Sequence, residues 1–230
     1  MQINYILNKL EESADLKVLA HKARHGIRAV NTKGIPIPKL RALAREIGTD
    51  HEIAQELWLA GFHEARILAS MVDDPSQVTD KQMEEWVSDF DSWDICDQCC
   101  SNLFDKTPFA YEKAALWAER KPEYEKRAGF TMMAVLAVHD KKAPDQKFLN
   151  FFPLLKKGAS DQRNFVKKAV NWALRQIGKR NPALNKSACD LALSLRCLDS
   201  KPARWIAADA LRELTGEKVQ KRLQAKCSRA

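Results

Sequence analysis

Glycine and proline are scarce in this chain, 8 and 9 among 230 residues, so it has few of the turn residues that punctuate sheet-rich folds. Valine, isoleucine and threonine are outnumbered by alanine, leucine, lysine, glutamate and arginine, which disfavours an all-β or Rossmann architecture. No run approaches the roughly 20 apolar residues that cross a bilayer. The opening residues MQINY have no basic segment leading into an apolar core. These absences set the expectation of a soluble, cytoplasmic protein with no membrane partner. No Walker, GxSxG or GxGxxG pattern occurs, which argues against the usual kinases, hydrolases and dehydrogenases. His21, His25, His51, His63 and His139 share no metal-ligand spacing.

Cysteine is present without a framework. Cys96, Cys99 and Cys100 form half of a zinc or redox motif, but no second CxxC or HxxxH pair follows, and Cys189, Cys197 and Cys227 are scattered. Cys96 and Cys99 read as members of a helix's apolar face, hence as reduced thiols behaving as small hydrophobes. No metal and no cofactor are expected.

The chain does have ample apolar and charged side chains, 45% and 30%, which is enough for a folded core. Its net charge of +8 favours a polyanionic partner, and the distribution is more telling than the sum. Residues 145–230 hold 19 Lys+Arg against 7 Asp+Glu, whereas residues 1–144 hold 19 against 23. Nine acids and one base, Lys81, lie between Met71 and Cys100. This division suggests one anion-binding surface; solvated helix faces that differ in sign are the plainer alternative.

Apolar residues recur with helical spacing almost throughout. The pattern predicts helices at 2–13, 15–25, 37–47, 50–60, 62–72, 79–88, 92–105, 108–119, 122–139, 145–157, 161–179, 183–195, 202–214 and 216–225. Starts are signalled at Pro38, Thr79, Pro108 and Pro202. From Ile35 the helices pair every 35 to 40 residues or so, the period of helical-repeat solenoids, although an irregular bundle would show much the same pattern. Ala128–Val138 is apolar nearly all round, as expected of a helix covered on both sides. No linker marks a second domain. The expectation is one domain over 1–230, with N-terminal helices in 1–33, repeats over about 34–215 and a C-terminal helix and tail in 216–230.

Two helices carry candidate chemistry. In 161–179, Phe165, Val166, Ala169, Val170, Ala173, Leu174 and Ile177 make a core stripe, and Trp172 falls roughly 110° away on a helical wheel. It aligns there with Lys168, Arg175 and Lys179. An aromatic within a ladder of cations suits a phosphate grip with a ring offered to a base, and a Trp that packs on the next helix is the alternative. The second helix opens at Asp91 or Ser92 as N-cap, with Ile95, Cys96, Cys99 and Leu103 as its core stripe. Trp93 and Asp97, four residues apart, share another face, with Cys100 and Phe104 near them. An acid in basic surroundings can act on a cationic reaction centre, whereas most such pairs are structural. Arg127, near the start of the apolar helix, is either a surface side chain snorkelling from the helix end or a phosphate contact.

With Trp93, Asp97, Arg127 and Trp172 on successive helical units, the chain resembles the HEAT-like-repeat DNA alkylation repair family, which includes AlkD-type alkylpurine DNA glycosylases. The similarity runs from about Gly34 to Leu214 through GIPIPKLRALAREIG, ELW, SWDICDQ, KRAGF and FVKKAVNWALRQIGKRNP. The resemblance implies an all-α solenoid, a superhelix of HEAT-like repeats whose concave basic face holds double-stranded DNA, alkylated or structured, with no obligatory protein partner. It also implies nucleoid association when bound. By position Trp93 and Trp172 are similar to the aromatic walls beside the damaged nucleotide, Asp97 to the catalytic carboxylate and Arg127 to the residue next to the lesion's phosphate. Phe165 and Arg175 would sit near the same channel, and Lys168 and Lys179 of the cation ladder complete the expected DNA-binding set.

The implied reaction is hydrolysis of the N-glycosidic bond of purines alkylated at N3 or N7, a step in base excision repair. Such a base is already cationic and needs no strong acid. Tryptophan faces would stabilise developing positive charge, at about 0.5–2 kcal/mol each. Asp97 would stabilise the sugar cation and orient a water. The sequence departs from the family in having Ser92–Trp93 where glycosylase members carry two adjacent aromatics, and in offering only His21 and His25 as rings in the His21–Arg28 region. A relative that binds damaged or branched DNA without excision is the second reading, and a helical-repeat protein-interaction scaffold the third.

Overall fold

The computed structural model of the chain describes residues 2–27 and 31–227, with the side chains of 226 and 227 left aside; Arg28, Cys227's side chain and the tail 228–230 therefore lie outside the described residues. Every regular element among them is helical, with fifteen α-helices and one 3-10 turn. The chain divides at Thr107/Pro108 into two compact units.

The first unit contains α1 (Ile3–Glu12), α2 (Leu16–Arg24), α3 (Ile37–Ile47), α4 (His51–Leu59), α5 (His63–Val72), α6 (Asp80–Ser88) and α7 (Trp93–Asn102), closed by the 3-10 turn Phe104–Lys106. The second contains α8 (Ala110–Ala118), α9 (Glu123–His139), α10 (Asp145–Leu149), α11 (Phe152–Gly158), α12 (Asn164–Gly178), α13 (Pro182–Arg196), α14 (Lys201–Leu214) and α15 (Glu217–Cys227).

Local chemistry accounts for the boundaries. Asp50, Thr79 and Asn181 each accept a backbone N–H of the first turn they precede, and Pro38, Pro153, Pro182 and Pro202 occupy first-turn positions where no N–H is needed. The continuous helix expected over 145–157 is instead two short ones. Pro153 explains the break: in an unbroken helix its ring would strike the carbonyl of Leu149, which is where α10 stops. Likewise the helix expected to 105 ends at Asn102, and Phe104 turns inward to lie 6.3 Å from both Trp86 and Phe90.

Several long-range hydrogen bonds recur at one separation within each unit, as stacked repeats of constant length produce. In the second unit Lys157–Glu119, Arg127–Phe165, Asn171–Asp209 and Arg175–Glu213 are all 38 residues apart. In the first, Trp58–Asp89, His63–Asp94 and Glu64–Lys33 are all 31 apart. Each unit is therefore a stack of helical repeats, the repeat being longer in the second. At the centre of the second, α9 packs against both α8 and α12, and eleven consecutive residues from Arg127 to Ala137 are buried. Gly129 permits this approach: a Cβ there would lie 2.2 Å from the Ala118 nitrogen.

Candidate nucleic-acid interface

Trp93 and Asp97 belong to the first unit, and Arg127, Phe165, Lys168, Trp172, Arg175 and Lys179 to the second.

α7 begins at Ser92, but the Ser92 hydroxyl does not cap the backbone; it donates to Asp94 Oδ1 at 2.8 Å. Asp94 Oδ2 accepts from His63 Nε2 at 2.8 Å, a pair with the imidazole fully buried. Burial alone would raise the Asp94 pKa, yet the histidine and serine contacts outweigh it and hold the carboxyl below its usual range. This network clamps the start of α7 to α5 and so aims Trp93. The Trp93 indole donates to the His25 carbonyl at 3.1 Å, at the end of α2.

Trp93 thereby becomes one wall of a cleft of about 570 Å³, whose apolar lining includes Val18, Ile27, Ile35 and Ile37. His21 and His25, ring centroids 4.3 Å apart, lie at its edge. The loop below it is gathered by Glu64. That fully buried carboxylate takes the Lys22 ammonium at 2.6 Å, the Thr32 hydroxyl at 2.8 Å and the backbone N–H groups of Lys33, Gly34 and Ile35 at 2.9–3.1 Å. Burial opposes its ionisation, but the Lys22 charge and these hydrogen bonds prevail and bring its pKa down to about 2.

Asp97 lies one turn beyond Trp93 on α7, half-buried. The carboxylate that lines the cleft is Asp94, with Gln98 beside it. Cys100 and Phe104, expected near the Trp93–Asp97 face, are fully buried instead, as are Cys96 and Cys99. Burial pushes the Cys99 and Cys100 thiols well above their ordinary pKa, so they stay protonated. Among the described residues no group of three or more His, Cys, Asp or Glu side chains could hold a metal ion.

In the second unit Arg127 does not snorkel from the end of α9. It is 5% exposed, and its guanidinium donates to the Phe165 carbonyl at 2.5 Å, which ties α9 to the first turn of α12. Phe165 is half-buried rather than in the core stripe, and its ring lies 5.9 Å from Tyr124.

The expected cation ladder on α12 divides in two. Arg175 and Lys179 reach Glu213 of α14 at 2.5 and 2.6 Å, and Asn171 donates to Asp209 at 2.7 Å. The Lys167 ammonium lies 4.7 Å from the Trp205 ring centre. Positions 167, 171, 175 and 179 thus form a seam with 205, 209 and 213, each helix contributing one residue per turn. Lys168 is exposed and Trp172 half-exposed beside it. Asp209 and Glu213, one turn apart and 38 residues after Asn171 and Arg175, carried the signal for this seam in the sequence.

The stacked helical pairs and this geometry define a helical-repeat protein of the HEAT-like kind. A profile of the family described as DNA alkylation repair enzymes matches residues 6–214, and the chain belongs to that family. No curated protein matches. Among solved structures, one from a family of proteins related to the HEAT-like-repeat DNA glycosylases, with affinity for branched DNA structures, aligns over 93% of this chain and 96% of its own at 17% identity and a TM-score of 0.77. That likeness concerns the fold. A designed armadillo repeat protein in complex with a (KR)4 peptide covers 81% of this chain and 79% of its own, at 15% identity and a TM-score of 0.37.

Proposed function

We propose that the protein binds DNA and excises cationic N3- or N7-alkylated purines from the duplex. The observation that carries this reading is the pair on α7: Trp93, fixed at its indole N–H and forming a wall of the apolar cleft, with Asp97 one turn along the same helix. A tryptophan face stabilises a cationic base through its quadrupole, and a carboxylate one turn away stabilises the positive charge that grows on the sugar as the bond breaks. Since the alkylated base leaves without prior protonation, this reading needs no general acid. In the second unit Lys168 and Trp172 supply an accessible cation and ring on α12 for backbone and base.

A second reading, binding without excision, is favoured by one feature: the carboxylate lining the cleft is Asp94, which His63 and Ser92 already occupy. Incubating the protein with methylated DNA and quantifying released bases separates the two. The first reading expects release of 3- or 7-alkylpurines, with Asp97→Asn lowering the rate at least about 100-fold while duplex affinity stays within about threefold. Absence of release by the wild type would leave only the binding reading.

A further inference from the structure

Trp58, Trp86 and Trp117 are buried at 5%, 2% and 0% exposure, as tryptophans with a packing role should be. Trp205 is 42% exposed. One side of its indole carries the Lys167 ammonium, a contact that orients the ring without covering it.

The residues around it are not a random surface. The exposed positions of α14 are Lys201, Arg204, Trp205, Ala208 and Arg212. Lys201 and Trp205 are one turn apart, Ala208 follows after three residues and Arg212 four after that, so these four lie along one stripe. No acid is among them, because Asp209 and Glu213 turn toward the α12 seam. Arg204 and Arg212 do pair with Asp199 and Asp209, but at side-chain exposures of 47% and 79% such contacts contribute little and a phosphate can replace them. Ala208, exposed one turn on from Trp205, adds only a methyl group to that stripe. Beyond it Arg212 also borders a cleft of about 520 Å³ together with Lys179, Lys218 and Arg222, where these four cations outnumber the two acids of the lining, Glu213 and Glu217.

We propose that the outer face of α14 is a binding track for single-stranded DNA, with Trp205 stacking on an unpaired base and Lys201, Arg204 and Arg212 contacting the phosphates on either side. The inference rests on the DNA-binding reading above and adds a second contact surface to it. An undamaged duplex keeps its base faces stacked inside the helix and offers only their edges, so Trp205 has no base face to stack on there. An unpaired base presents its whole face, and an aromatic set among cations spaced by single helical turns is the combination that holds single strands without reading their sequence.

The test compares the full-length wild type, Trp205→Ala and Trp205→Phe by fluorescence anisotropy on a duplex and on the same duplex carrying an oligothymidine arm. A further probe has 2-aminopurine in the arm. The wild type should bind the armed DNA more tightly and change the 2-aminopurine emission. Trp205→Ala should lose about tenfold on armed DNA and nothing on the plain duplex, with Trp205→Phe within about threefold of wild type. If the wild type binds duplex but gains nothing from the arm, or if Trp205→Ala weakens both DNAs equally, the track is refuted while the DNA reading stands. If the wild type binds neither DNA, both fall together. Preference for anionic vesicles over armed DNA would also refute it, because a tryptophan among cations suits a membrane surface as well.

Discussion

At the scale of single residues, Glu64 governs more of the candidate site than any side chain that touches the cleft. Its two oxygens gather α2 through Lys22 and the loop through Lys33, Gly34 and Ile35, and with these the cleft wall facing Trp93. Removing the charge takes from the buried Lys22 the carboxylate it is hydrogen-bonded to, so Glu64→Gln should cost about 3 kcal/mol in urea unfolding at neutral pH. The sign with pH follows from the lowered pKa. A carboxyl whose pKa falls from 4.5 to about 2 on folding stabilises fully above about pH 4.5, and that contribution disappears as the pH drops toward 2. The stability gap between wild type and Glu64→Gln should therefore close over that interval. A gap constant from neutral pH down to 2 would mean that Glu64 is not ionised in the fold. Nothing in the sequence marks Glu64 for this role, because its partners lie 29–42 residues away and three of them are backbone groups.

At the scale of elements, the contact between α8 and α9 depends on a missing side chain. Alanine is the better helix former by about 1 kcal/mol, so Gly129→Ala would stabilise an isolated α9. In the protein the new Cβ meets backbone, Ala118 nitrogen at 2.2 Å and Ala118 Cα at 2.7 Å, and neither can rotate away. The steric term dominates. Gly129→Ala should be destabilised by about 2 kcal/mol or more, measurable as a fall in Tm; an unchanged or raised Tm would contradict the close approach.

The helices themselves were readable in the sequence because the 3.6-residue period is local, and the buried stretch of α9 was readable because no polar face interrupts it. The polar faces were harder to interpret. Lys168, Arg175 and Lys179 look alike in sequence, and only the packing of α14 separates the exposed Lys168 from the two that Glu213 engages. Arg127 was ambiguous for a related reason: it reaches a main-chain carbonyl on α12, and main-chain groups leave no residue signature.

At the scale of the molecule, charge is partitioned with the fold. Residues 1–107 carry 12 Lys+Arg against 18 Asp+Glu, and residues 108–230 carry 26 against 12. If the second unit grips a phosphate backbone, duplex affinity should fall by about 10³-fold or more between about 50 and 200 mM salt, with a log–log slope that becomes shallower when Lys168 is neutralised. A flat salt profile would place the excess charge in solubility rather than recognition.

The seam between α12 and α14 bears on how that charge should be counted. Glu213 holds two cations at once and Asp209 adds a third contact, so part of the formal surplus is neutralised before any ligand arrives. The carboxylates act there as built-in counter-ions. Removing the one on Glu213 by Glu213→Gln would loosen the repeat stack and at the same stroke unmask positive charge, so stability and polyanion affinity should move in opposite directions from a single substitution.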